Sequence, residues 1–168
     1  MKVNEIEYGH WNQPSLPENQ PITDSKIIGR FDGYDIHQFN NYFLILDNSN
    51  YYMGYIRVDD SFFREAYVTQ QHRRKGIASI LILFVLRSLN KKLILSNDEM
   101  ITDDSRQLFF KLAQANKIKI SATSSLDLKH LLSISELSKI FTDISDNDIT
   151  LIIESEQKRI SKTCFEIR

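Results

Sequence analysis

The chain has 168 residues, 42% hydrophobic and 26% charged, which are values of an ordinary globular domain. Its formal net charge of -1 argues against generic nucleic-acid binding, which requires a basic excess over the whole domain. The chain has one cysteine, no apolar signal-peptide core at its start and no apolar run near the ~20 residues of a membrane helix. We therefore expect a cytoplasmic protein that forms no internal disulfide and does not enter a membrane.

Residues 1–25 are mostly polar and contain all three prolines of the chain, Pro14, Pro17 and Pro21. This composition predicts an extended N-terminal arm that lies on the surface or on a partner. The remainder, residues 26–168, is predicted to form a single domain.

The first part of this domain is rich in strand signals. Runs typical of strands occupy Ile27–Phe31, Tyr34–Phe39, Tyr42–Leu46, Tyr51–Val58 and Phe62–Val68. Short polar turns separate them, and Asp32-Gly33 between two apolar runs is a strong hairpin signal. The sequence therefore predicts an antiparallel meander of up to five strands.

A run of apolar residues from Ile77 to Leu89 predicts a helix that is buried on most sides and crosses the sheet. Leu93–Leu95 would then be a parallel return strand. Thr102, followed by two aspartates, predicts the start of a second helix that ends near Ala115. Ile118–Ile120 would follow as a strand.

Residues 121–168 give weaker signals. Ser121–Ser125 is typical of a linker, and the leucines between residues 128 and 141 indicate one or two helices. Ile149–Ile153 and Thr163–Ile167 are predicted to form a C-terminal hairpin of the same sheet. The expected fold class is α/β, with a mixed, mostly antiparallel sheet, a buried crossover helix and a second helix.

The most informative segment is Val68–Ala78, where a strand, a tight basic turn and a buried helix follow one another. This arrangement presents backbone N–H groups and a helix N-terminus to an anion. Gly76 allows close approach of a ligand because it has no Cβ. Arg73, Arg74 and Lys75 add positive charge at the same point.

The spacing Arg73-x-x-Gly76-x-Ala78 resembles the pyrophosphate-binding loop of the GNAT superfamily of acyl-CoA-dependent N-acyltransferases. The resemblance covers roughly the middle third of the chain. It implies a GNAT-like domain over residues 26–168 with acetyl-CoA as co-substrate. The cofactor-binding residues would be Val68, Arg73, Arg74, Lys75, Gly76, Ile77, Ala78 and Ser105. Alternatively, the glycine serves only the turn and the basic side chains are simply solvated.

Acylation of an amine requires that the amine first lose its proton, since a lysine amine has a pKa of ~10.4. Glu65 is the candidate catalytic base, and a surface carboxylate without a chemical role is the equal alternative. In the GNAT family the fourth and fifth strands diverge and admit the pantetheine arm. Here these strands would be Phe62–Val68 and Leu93–Leu95, and a free N–H near Val68 would stabilise the developing oxyanion.

The chain departs from the family pattern at two places. Phe109 falls where the family often has a proton-donating tyrosine, so Ser105, Ser96, Tyr67 or water would have to supply that proton. No helical pattern lies between Ile27 and Val58, where the family usually has two helices that wall the acceptor groove. An open groove suits a macromolecular acceptor, and the arm or a second subunit would complete it.

Three functions remain open on this sequence. The first is an N-acetyltransferase that acts on an amine of a protein or other macromolecule. The second is a non-catalytic GNAT-like interaction protein that keeps the fold, with or without CoA binding. The third, a nucleic-acid-directed factor, has the least support. The sequence leaves open whether the protein forms a homodimer. The four histidines lack metal-ligand spacing, so no metal site is predicted.

Overall fold

The computed structural model describes residues 14–96, 103–123, 129–142 and 150–156, and these ranges contain nine strands and three helices. The strands are β1 (Lys26–Phe31), β2 (Tyr34–Phe39), β3 (Tyr42–Leu46), β4 (Tyr52–Asp59), β5 (Phe62–Val68), β6 (Leu93–Ser96), β7 (Ile118–Thr123), β8 (Lys129–Leu131) and β9 (Thr150–Ser155). The helices are α1 (Ile77–Arg87), α2 (Asp103–Gln114) and α3 (Ile134–Thr142).

All nine strands belong to one sheet, in the order β1-β2-β3-β4-β5-β6-β9-β7-β8. The first five form an antiparallel meander, as predicted. Strand β6 is parallel to β5, and β9 lies antiparallel between β6 and β7. The predicted α/β class with a mostly antiparallel sheet is therefore confirmed.

The turns of the meander use residues that tolerate a left-handed backbone. Asp32 and Gly33 have φ of 50° and 83°, the pair of positive values that a tight hairpin requires. Asn40 and Asp60 have φ of 51° and 56° in the turns after β2 and β4. Asn and Asp adopt this conformation with less strain than other non-glycine residues, because their short polar side chains can hydrogen-bond to the nearby backbone.

Helix α1 forms the centre of the main hydrophobic core. Its buried residues are Ile77, Ile80, Leu81, Ile82, Leu83, Phe84, Val85 and Leu86. The helix packs across β3, β4, β5 and β9, so the prediction of a buried crossover helix is confirmed. Within the described residues no helix could cross a bilayer, and α1, with 11 residues, is far too short.

The prediction for residues 121–141 was partly wrong. Residues 121–123 are not a linker, because β7 continues through Thr123 and pairs with β9. A short strand, β8, then pairs with β7, and the helix begins only at Ile134. The strand predicted at Ile149–Ile153 is β9, whereas Thr163–Ile167 lies outside the described residues.

Residues 14–24 lie on the face of the sheet opposite α1. On β4, a Cβ at Gly54 would touch Ile77 of α1, so the next residue, Tyr55, points to the other face. There Tyr55 and Tyr52 bury Leu16, which is 7% exposed. The Tyr52 hydroxyl donates to the Leu16 carbonyl at 2.8 Å. The described part of the arm thus docks on its own sheet.

Candidate functional site

The loop between β5 and α1 leaves the sheet at a fixed point. Both the backbone N–H and the hydroxyl of Thr69 donate to the carbonyl of Met53 on β4, at 3.0 Å and 3.1 Å. One turn of 3-10 helix follows at Gln70–His72, and the His72 N–H donates to the Thr69 carbonyl at 2.9 Å. Residues 73–76 then lead into α1 with exposed side chains.

Gly76 caps the N-terminus of α1 with φ 75° and ψ 15°. A left-handed residue followed by a helical one, Ile77, turns successive N–H groups toward the same side. A Cβ built at Gly76 would meet nothing within 4 Å, so the space beside it is open. In the described residues no side chain caps this helix start, and its first turn has no acidic residue. The donors therefore remain available to an anion.

Positive charge surrounds these donors. Arg73, Arg74 and Lys75 are all exposed, and the Nε of Arg73 donates to the Val68 carbonyl at 3.3 Å. Ile77 contributes to this site only through its backbone, because its side chain is buried in the core. Ala78 follows it in the first turn of α1. The predicted loop residues and Val68 are thus brought together at one end of β5.

Within the described residues, β5 pairs with β6 near its start, far from this loop. Among the described residues of β6, only Ile94 pairs with β5, opposite Phe62, and its N–H donates to Ser61 at 2.8 Å. The predicted divergence of the two strands beside Val68 lies outside the described residues, because β6 is described only to Ser96. Because the Thr69 N–H points to β4, alternation along the strand directs the N–H and carbonyl of Val68 away from β4.

Glu65 lies on the arm side of β5. Its Oε1 accepts a hydrogen bond from the Tyr55 hydroxyl at 2.6 Å and one from the Ser15 N–H at 3.2 Å. Its Oε2 accepts the Ser15 hydroxyl at 2.5 Å. A carboxylate has about four acceptor positions, so the chain's own donors take three of them. The candidate base is therefore held in a network with the arm.

Four tyrosines surround this carboxylate, and we call the surface formed by Tyr42, Tyr52, Tyr55, Tyr67 and Glu65 the tyrosine face. The Tyr55 ring meets those of Tyr42 and Tyr52 edge-on, at centroid distances of 5.3 Å and 5.2 Å. The Tyr67 ring stacks on Tyr55 at 5.9 Å. Edge-to-face and offset contacts of this kind stabilise aromatic clusters.

The hydroxyls of Tyr52, Tyr55 and Tyr67 stay protonated. Burial, reinforced by the hydrogen bond to Glu65, raises the pKa of Tyr55 far above its usual range, and burial likewise raises the pKa of Tyr52. Burial and then the hydrogen bond to Glu18 raise the pKa of Tyr67, while Arg73 opposes this shift. The Tyr67 hydroxyl, donating to Glu18 and lying beside Arg73, links the arm to the loop.

Ser105 and Phe109 lie on α2 rather than on the loop. Ser105, in the first turn, is 7% exposed, so its side chain offers little surface to a cofactor. Phe109 is fully buried and its ring meets Phe63 edge-on at 5.0 Å. The Phe109 ring is therefore part of the hydrophobic core. The side chain of Ser96, another predicted proton donor, is not among those that the structure describes.

No family model, no characterised protein and no solved structure matches this chain. The likeness to the GNAT loop thus depends on residues 68–78 and their geometry.

Sequence reasoning missed the tyrosine face, although one signal for it was present. Glu65 and Tyr67 are two residues apart on a strand, and such residues share a face. Ser15 and Glu18 gave no signal, because the arm has no periodic pattern and meets β5 across 50 and 49 positions of sequence.

Gly54→Ala, on β4 under the start of α1, is expected to weaken acetyl-CoA binding by displacing that helix start. The new Cβ would lie 2.7 Å from the Ile77 Cγ2 and 3.0 Å from the Tyr67 carbonyl, so the start of α1 must move away from the sheet. Overpacking of this kind costs roughly 1–3 kcal/mol. Calorimetry with acetyl-CoA and denaturant unfolding measure the two effects.

Gly29→Ala is the matched control, since its Cβ would lie 2.8 Å from the Phe84 Cε2, seven residues further along α1. It should lower stability and leave the affinity for acetyl-CoA unchanged. Equal affinities in wild type and Gly54→Ala would show that the position of the helix start does not govern binding.

Proposed function

We propose that this chain is a GNAT-type N-acyltransferase that moves an acetyl group from acetyl-CoA to an amine of a protein or other macromolecule. The observation that carries the proposal is the meeting of two features at the end of β5. These are an uncapped helix start at Gly76 and the basic cluster of residues 73–75. The order of meander, helix, parallel strand, helix and strand agrees with the order that the family resemblance implies.

Each part of the site has a defined task in this proposal. The N–H groups of residues 76–78 and the side chains of Arg73, Arg74 and Lys75 bind the pyrophosphate. As the family resemblance implies, the pantetheine arm would pass between β5 and β6. The N–H of Val68, directed away from β4, donates to the thioester oxygen as negative charge develops there.

Glu65 prepares the acceptor. At pH 7.4 only about one lysine amine in a thousand is neutral, so proton removal limits attack. Glu65 accepts one proton of the ammonium, and the neutral nitrogen attacks the thioester carbonyl carbon, forming a C–N bond. As the C–S bond breaks, the nitrogen loses its second proton to solvent and becomes an amide. The thiolate leaves and takes a proton from solvent, and with a thiol pKa of ~8.5 it is a tolerable leaving group. Tyr55 keeps the carboxylate oriented through its 2.6 Å hydrogen bond.

A second function, a non-catalytic GNAT-like interaction protein, is favoured by specific observations. Phe109 is buried against Phe63 and cannot donate a proton to a departing thiolate. Residues 26–59, all of them described, contain strands and turns and no helix, so the usual wall of an acceptor groove is missing there. On this reading the chain binds CoA or a partner without transfer.

Calorimetry with acetyl-CoA and CoA, followed by a thiol-release assay with mixed amine acceptors, separates the two functions. Binding with release supports the transferase, and binding without release supports the interaction protein. No heat of binding at millimolar CoA would contradict both the loop assignment and the transferase. Labelled acetyl-CoA added to a cell lysate then locates the acceptor by size, and label confined to small molecules would exclude a macromolecular acceptor.

Glu65→Gln is expected to lower the transfer rate at neutral pH by roughly 10²–10⁴-fold, the usual contribution of a general base. The rate should recover partly at higher pH, because more of the amine is then already neutral. Steady-state rates across pH measure this. Ser15→Ala is the control, since it removes a hydroxyl partner of Glu65 and keeps the carboxylate. A Glu65→Gln profile that matches wild type at every pH would exclude Glu65 as the base.

A further inference from the structure

The arm follows β5 from the candidate base toward the cofactor loop. Ser15 contacts Glu65, and Glu18 accepts the hydroxyl of Tyr67, two residues further along the strand. Between them the Leu16 side chain is buried beside Leu44, Tyr52 and Tyr55. Residues 15–18 therefore lie on the tyrosine face, with bends at Ser15 and Leu16 and a turn at Glu18.

The contacts of this segment are those of a peptide in a binding groove. Glu65 accepts the backbone N–H of Ser15, and Tyr52 donates to the backbone carbonyl of Leu16. These two bonds recognise main chain, which any peptide offers. The Leu16 side chain fills an apolar site, and beyond it a cavity of about 180 Å³ remains between the arm and Phe39. The arm is thus docked at Ser15, Leu16 and Glu18, and again at Ile22, whose N–H donates to the Asn50 carbonyl at 2.8 Å.

We propose that the tyrosine face is the acceptor site and that it takes a peptide segment, for which residues 15–18 are an intramolecular stand-in. The acceptor carries its amine at the place of Ser15, against Glu65, and a large aliphatic residue at the place of Leu16. This inference rests on the proposed transferase function, whose acceptor class it specifies.

An acceptor lysine fits the place of Ser15 better than the serine does. Its ammonium brings three N–H donors and a full charge to the Glu65 carboxylate, and charge-assisted hydrogen bonds are about twice as strong as neutral ones. The hydroxyl oxygens of Tyr42 and Tyr55, each 2.9 Å from an atom of Ser15, are further acceptors for the ammonium N–H groups. The hydroxyl of Ser15 has one donor and no charge, so it holds the place without reacting as an amine.

The tether gives the arm an advantage over a free peptide. A segment joined to its own site by a short linker acts at an effective concentration in the millimolar range. The wild-type chain is therefore partly blocked, and an incoming peptide must displace residues 15–18. Leu16→Asp, which places a charge in the apolar site, should release the arm and raise the transfer rate to a peptide.

The first test introduces a lysine amine at position 15 of the full-length chain. In Ser15→Lys, incubation with acetyl-CoA should add one acetyl group at position 15, located by mass spectrometry of the digested protein. Asn19→Lys puts the same side chain at an exposed arm position, and its acetylation should be at least tenfold slower. The double variant Ser15→Lys/Leu16→Asp should lose the preference for position 15.

A second measurement requires no transfer. A synthetic peptide of sequence Lys-Leu-Pro-Glu, added to the wild-type chain, should increase hydrogen exchange of residues 15–18 as it displaces the arm, and Lys-Asp-Pro-Glu should not. No displacement at millimolar peptide would overturn the inference. Acetylation of other amines with equal labelling of positions 15 and 19 would also overturn it while leaving the transferase intact. Displacement without any acetyl transfer would make the face a peptide site of a non-catalytic protein, and the acceptor inference would fall together with the proposed function.

Discussion

Gly76→Val is expected to abolish acetyl-CoA binding, with a loss of at least tenfold in affinity, about 1.4 kcal/mol or more. Gly76 has φ 75°, which a β-branched residue adopts only with strain. Its missing Cβ faces open space, so the valine methyl groups would occupy the volume through which a pyrophosphate reaches the N–H groups of α1. Calorimetry with acetyl-CoA measures the loss, and circular dichroism shows whether the fold is retained.

Gly33→Val is the matched control for this experiment. Gly33 also has a left-handed backbone, φ 83°, and a Cβ there would likewise meet nothing within 4 Å. It lies in the turn between β1 and β2, so the substitution imposes comparable strain away from the loop. We expect it to lower stability and to leave acetyl-CoA affinity unchanged. If both variants bind as wild type does, the anion site is not at Gly76.

Leu81→Ala is expected to destabilise the chain by roughly 2–5 kcal/mol. Leu81 is 0% exposed at the centre of α1, where the helix packs on the sheet. Removing its terminal carbons forfeits burial and leaves a cavity that close-packed neighbours fill only partly. Chemical denaturation gives the change in free energy of unfolding.

Leu131→Ala makes the same change on β8 at a side chain that is 57% exposed. Little burial is lost there, so the change in free energy of unfolding should be within about 0.5 kcal/mol. Similar losses for the two variants would contradict the central place of α1 in the core.

The parts of the fold that were predictable are those encoded by neighbouring residues. Helix α1 is apolar on nearly every face, which forces burial wherever the helix lies. The meander is marked by Asp, Asn and Gly at its turns, where the backbone needs positive φ. Strand β8 gave no such signal, because its three residues are all exposed and show no alternation of apolar and polar side chains. The place of β9 depends on pairing with distant strands, which local pattern cannot specify.

The same division holds for the candidate site. The loop from Val68 to Ala78 is continuous in sequence, so its backbone and charges could be read from it directly. The partners of Glu65 could not, since Ser15 reaches it only after the arm folds over the sheet. Phe109 was recognised as a departure from the family, but only the packing against Phe63 shows that its ring belongs to the core.

The position of β9 has a consequence for synthesis of the chain. Residues 150–155 form the strand that joins β6 to β7, so both of those strands keep an open edge until the ribosome has released residue 155. Open strand edges pair readily with other chains. The meander can form early from local hairpins, whereas the second half of the sheet must wait for contacts of long sequence separation. The nascent chain therefore passes through a period, ended by β9, in which chaperone protection matters most.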